Sequence, residues 1–121
     1  MKLFRFDIPT ANPIPHSESD KVLLTPVLER FAHSKISCMY FGAGGLLAMQ
    51  MADLDRLFLV VSGRGWVKTQ ETDYIRLQTG QAVFWQAGEQ HEILTHNGMV
   101  MMVIEGENLH PEHFLHPYVP R

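Results

Sequence analysis

Cysteine is nearly absent from this chain. Cys38 is the only one in 121 residues, so neither a disulfide framework nor a thiolate metal site can form within it. Set in Ile36–Phe41, it reads as a small buried hydrophobe rather than a nucleophile. Long apolar runs are missing too: nothing approaches the about 18 consecutive apolar residues of a membrane span, and Met1–Asp7 has no apolar stretch of a secretion signal. Basic charge is sparse and scattered. Ten Lys and Arg stand singly against 13 Asp and Glu, for a net charge of −3, so no phosphate-binding footprint exists for nucleic acid. The expected location is the cytoplasm, and neither nucleic acid nor membrane is an expected partner. No Ser–His–Asp or Cys–His arrangement can be assigned, and no glycine-rich loop follows a strand and opens a helix.

What the sequence does have is rhythm. From Arg56 to Glu105, short apolar runs are broken at near-regular intervals by glycine-bearing turns. Leu57–Val61 stops at Ser62-Gly63-Arg64-Gly65, and Trp66–Thr69 follows. Tyr74–Leu77 stops at Gln78-Thr79-Gly80, and Gln81–Trp85 follows. His96-Asn97-Gly98 then joins His91–Thr95 to Met99–Ile104, since Asn-Gly tolerates the positive φ of a tight hairpin. Strands recurring at about 8–12 residues indicate an all-β sandwich or barrel, and 121 residues make one domain.

Leu57–Val61 and Met99–Ile104 are apolar on both alternating faces, whereas an antiparallel strand normally turns one face to water. Their outer face therefore needs a cover. The N-terminal arm, a C-terminal segment or a second subunit could supply it; a second subunit is the favoured one, giving a homodimer, and the arm is the main alternative. Trp66 and Trp85 are expected near the core or an interface, each indole N–H satisfied at an edge. The methionines read as core filling, with an adaptable pocket lining as the alternative.

The ends are simpler. Residues 1–20, with Pro9, Pro13 and Pro15, read as an extended arm holding at most one short edge strand, Lys2–Phe6. Val22–Leu28 reads as an edge strand broken at Pro26, Ile36–Phe41 as a clear strand, and Leu46–Met51 as a strand between glycines and the Asp53-Leu54-Asp55 turn. In the tail, 106–121, His110 and His113 would lie side by side on a helical turn. Histidines in a tail are more often solvated than metal-bound.

The run Gly80-(five residues)-Gln86-Ala87-Gly88-Glu89-Gln90-His91 resembles the second motif of the cupin superfamily, with Gln86 where that motif has proline. The resemblance covers residues 42–105 and implies a cupin-like double-stranded β-helix, a jelly-roll barrel whose interior commonly holds a metal or a small ligand. The first motif departs from the pattern. Anchored on Gly63, it puts Arg56 where the glutamate ligand should be. The two histidine positions fall on Gln50 and Ala52, or on Met49 and Met51. Of four implied metal ligands only His91 is present, and an always-charged guanidinium takes the place of a carboxylate. His33 and His96 lack ligand spacing. The expectation is a degenerate metal site with no bound cofactor.

If Arg56 points inward, alternation sends Phe58 and Val60 inward with it, and His91 is joined by Ile93 and Thr95, while Glu92 points away. His91, Arg56, Gln50, Phe58 and Ile93 then form the expected ligand-binding set. It suits a small organic molecule such as a carboxylate, held by a guanidinium fork against apolar walls. Otherwise Arg56 pairs with Asp53 or Asp55 and His91 bonds a backbone carbonyl. The leading reading is a non-catalytic or sensor-like small-molecule binder. A metal-dependent cupin enzyme of oxygenase or isomerase type, using His91 with unrecognised ligands, is the alternative; a structural or interaction module with a filled barrel is the third.

Overall fold

The computed structural model describes residues 1–13, 21, 23–28 and 34–120. His33 and most of 14–22 lie outside them. The architecture is two antiparallel sheets joined through one long strand. The first sheet runs β11 (His116–Pro117), β1 (Lys2–Arg5), β8 (Gln81–Trp85), β6 (Asp55–Thr69), β10 (Met99–Gly106) and β4 (Lys35–Phe41). The second consists of β5 (Leu46–Met51), β9 (Gln90–Leu94), the far half of β6, and β7 (Ile75–Gln78). A small pair, β2 (Asn12–Pro13) with β3 (Leu23–Leu24), stands apart. This is an all-β jelly roll, with no α-helix among the described residues and none long and apolar enough to cross a membrane.

The expected turn at Ser62–Gly65 is a bend inside β6. Arg56–Leu59 pair with Trp85–Ala82 in the first sheet, whereas Arg64–Val67 pair with Gln78–Ile75 in the second. At the bend Gly63 takes φ +85° and passes so close to the hairpin that a Cβ on it would lie 2.5 Å from the Gly98 carbonyl oxygen. A register shift against Val100 and Met101 adds the local twist of a β-bulge. Glycine and bulge together let a single strand change sheets instead of reversing.

Alternation along β6 feeds two cores. Phe58 and Val60 face the space between the sheets with Trp85, Ile93, Met101 and Val103, all buried. Leu57 and Leu59 face the other way and are buried with Phe4, Phe84, Leu109 and Leu115. The cover of the outer face is thus the chain itself, from β1 and the segment after β10; Val27 and Leu28 pack there too. A second subunit is not needed to bury these strands. Residues 2–5 are accordingly more than an arm: β1 pairs with β8 on one side and β11 on the other.

Cys38 is exposed rather than buried. Among the described residues β4 pairs only with β10, and its alternation turns Met39 and Phe41 toward the inner core while Ile36, Cys38 and Tyr40 stay exposed. The methionines divide. Met99 and Met101 are inner core, Met102 packs on the outer core, and Met51 is exposed.

Candidate functional site

Arg56, near the start of β6, has Trp85 of β8 opposite it on one side and Glu105 of β10 on the other. His91, on β9, stands opposite Gln50 of β5 and Thr69 of β6. The fold brings these two groups together between the sheets: Arg56 Nη1 lies 3.2 Å from His91 Nε2. A guanidinium has only donors, so Nε2 accepts and the ring proton sits on Nδ1. That makes His91 a neutral imidazole. Its pKa is lowered to about 4, chiefly because burial penalises the charged ring and secondarily because of the adjacent Arg56 charge.

The ring is held on its other sides by aromatics. Trp85 lies against it at 4.4 Å between centroids and 31° between planes, and Phe58 meets it edge-on at 5.7 Å. Phe58 and Trp85 contact each other at 5.2 Å in a T-shape. Three buried nitrogens of this cluster, Arg56 Nε, His91 Nδ1 and Trp85 Nε1, have no hydrogen-bond partner among the described residues. The expected edge partner of the Trp85 indole is therefore absent among the described residues.

Arg56 does not pair with Asp53 or Asp55. Asp55 instead accepts from the Ala87 amide at 3.0 Å. The carboxylate facing Arg56 belongs to Glu105, whose Oε1 is 3.9 Å from Arg56 Nε, an ion pair too long to be a hydrogen bond. Sequence reading passed over Glu105. The available signal was register: laying β10 antiparallel along β6 sets the two residues opposite each other.

Of the expected ligand-binding residues, the fold gathers Arg56, His91 and Phe58, with Ile93 buried in the same core. Gln50 is different. It is opposite His91 in register, but the shift between Leu47 and Gln50 leaves it exposed, with no side-chain hydrogen bond among those described. Ala52, at the second histidine position of that alignment, is buried and accepts the Gly88 amide through its carbonyl, tying β5 to the loop before β9. Gly80 and Gly88 take φ of +88° and +95°, so the motif glycines do open and close β8 with conformations that favour glycine. Glu92 points outward and accepts from the Tyr74 hydroxyl; His96 packs on Trp66 with centroids 4.7 Å apart.

No family model matches the sequence, and no curated protein matches it. Solved structures do. A cupin superfamily protein from Desulfitobacterium hafniense DCB-2 superposes with TM-score 0.59 at 19% identity, over 80% of this chain and 92% of that one. The fold is that of the cupins. The DMSP lyase DddQ of Ruegeria pomeroyi DSS-3 gives TM-score 0.58 at 17% identity over 62% of this chain, which spans only 39% of the lyase chain. An RmlC-like cupin from Shewanella frigidimarina NCIMB 400 gives 0.57 at 15% identity, over 60% and 65% of the two chains. Cupins with this barrel thus include an enzyme and proteins described only by their fold.

The residues inside this barrel do not fit a divalent cation. Such an ion needs several neutral imidazoles and carboxylates converging on it. Here the one interior imidazole among the described residues gives its Nε2 lone pair to a guanidinium, which brings positive charge to the place the cation would occupy. Among the described residues, the one group of three His, Cys, Asp or Glu close enough to hold a metal does not include His91.

Proposed function

We propose that this protein is a non-catalytic cupin whose barrel interior takes no cation and binds a small organic anion at the Arg56–His91–Trp85 cluster. The observation that carries this reading is the set of three buried N–H donors without acceptors. Leaving each unmade costs about 1–3 kcal/mol. A carboxylate, which offers only acceptors, complements these three donors and the guanidinium, and would compete with the long Glu105 contact for Arg56. The neutral state of His91 supports this, because its Nδ1–H donates without adding a second positive charge.

One fact favours a filled barrel that acts as an interaction module. None of the four described cavities is lined by Arg56, Trp85 or His91. An anion must then part the side chains at the barrel mouth, where Arg56 and Glu105 retain partial exposure of 15% and 24%.

A thermal-shift screen of acetate, oxalate, benzoate and similar carboxylates at millimolar concentration separates the readings. The expected result is stabilisation of the wild type by at least one of them, lost in Arg56→Ala. No shift with any carboxylate overturns the binding reading in favour of the filled barrel. Stoichiometric metal in the purified, untagged protein, lost in His91→Ala, overturns it in favour of a metal enzyme.

A further inference from the structure

The segment after β10 is pinned at both ends. Leu109 and Leu115 are buried in the outer core, Pro111 is buried between them, and β11 then pairs with β1. Between these anchors the backbone makes a 3-10 turn at Pro111–His113, in which the His113 amide donates to the His110 carbonyl and the Leu115 amide to the Pro111 carbonyl. Residues three apart on a 3-10 turn eclipse one another. His110 and His113 accordingly stack, with ring centroids 4.9 Å apart and planes 12° apart. Glu112 turns back so that its Oε1 is 3.4 Å from His110 Nδ1. All three side chains are exposed, and one ligand atom from each falls within 4.8 Å of the others.

Two imidazoles and a carboxylate on one side of a turn are a donor set that suits a borderline first-row ion. Tetrahedral ligation at about 2.0–2.1 Å would draw the donor atoms somewhat closer than they stand. Exposed side chains can make that adjustment by rotation, with no change in the pinned backbone. The interior's guanidinium contact to an imidazole does not recur here: the described partner of His110 is a carboxylate and the rings are open to water, and the nearby Lys2 ammonium acts on Glu112 rather than on a ring.

We propose that His110, Glu112 and His113 form a surface site for a divalent transition-metal ion of the zinc type, which fixes the 3-10 turn at Pro111–His113. Water completes the coordination, since the turn supplies three ligands and leaves at least one position open. The site is independent of the interior cluster and uses neither Arg56 nor His91.

Calorimetric titration of the untagged full chain with zinc chloride tests it, beside thermal unfolding with and without zinc. One equivalent of zinc should bind to the wild type and equally to His91→Ala. Affinity should fall at least about tenfold in His110→Ala and in His113→Ala, because each removes a direct ligand. Cobalt(II) should give visible ligand-field bands that His113→Ala abolishes, and zinc should raise the unfolding temperature of the wild type but not of that variant. Absence of zinc binding, or binding unchanged in both histidine variants, overturns the site. Binding with no rise in unfolding temperature overturns the fixing of the turn. Glu112→Gln, with both imidazoles kept, provides a second partial loss should a histidine variant fail to fold.

Discussion

His91 and His113 are the same side chain in opposite circumstances. His91 is fully buried between two sheets, with Trp85 tilted against its ring and its Nε2 taken by a guanidinium. His113 stands in water on a 3-10 turn, stacked on His110 beside the Glu112 carboxylate. The first has the spacing of a cupin metal ligand and surroundings that repel a cation. The second has no motif behind it and surroundings that attract one. Spacing decides where an imidazole points, whereas the charge and solvation of its neighbours decide what can approach it.

Removing the aromatic wall is the most damaging way to break the interior half of that contrast. Trp85 is wholly buried against Phe58 and His91, so Trp85→Ala combines lost transfer energy with a cavity. The expected loss is about 3–5 kcal/mol, read from urea unfolding. A loss under about 1 kcal/mol would mean that the barrel interior is far more adaptable than its packing indicates.

The buried imidazole itself should give the next largest effect, through pH. Folding takes His91 from an ordinary histidine pKa of 6.5 to about 4. Between those values the unfolded chain binds the proton and the folded chain does not, so stability rises with pH across this window. It is complete above pH 6.5 and falls as pH drops toward 4, by about 3 kcal/mol for this group. Unfolding free energies measured from pH 7 to 4 should show this slope in the wild type and a flatter one in His91→Gln. Equal slopes would place the proton uptake elsewhere.

Fold and site were legible to different degrees. Gly80, Gly88 and His91 kept their motif spacing because backbone conformation demands it, and they located β8, β9 and the inward imidazole. Alternation from Arg56 correctly placed Phe58 and Val60 in the inner core. Three things were not legible for a common reason. The passage of β6 through Gly63, the covering of its outer face by Leu109 and Leu115, and the pairing of Arg56 with Glu105 all depend on which distant strand lies alongside. Local pattern shows that a face is apolar, not what covers it. Gln50 misled for a related reason: one extra residue between Leu47 and Gln50 changes which positions on β5 turn toward the core.

The smallest effect sharpens the exterior half of the comparison. Without added metal, His113→Ala should change stability by less than about 0.5 kcal/mol, since it truncates an exposed side chain with no buried partner. The anchoring of the turn rests on Pro111, Leu109 and Leu115, which the substitution leaves in place. Chelator-treated wild type and variant should therefore unfold at nearly the same urea concentration and separate only when zinc is present. A large difference in chelator would show that the His110–His113 stack itself holds the tail, and would make the cation incidental to it.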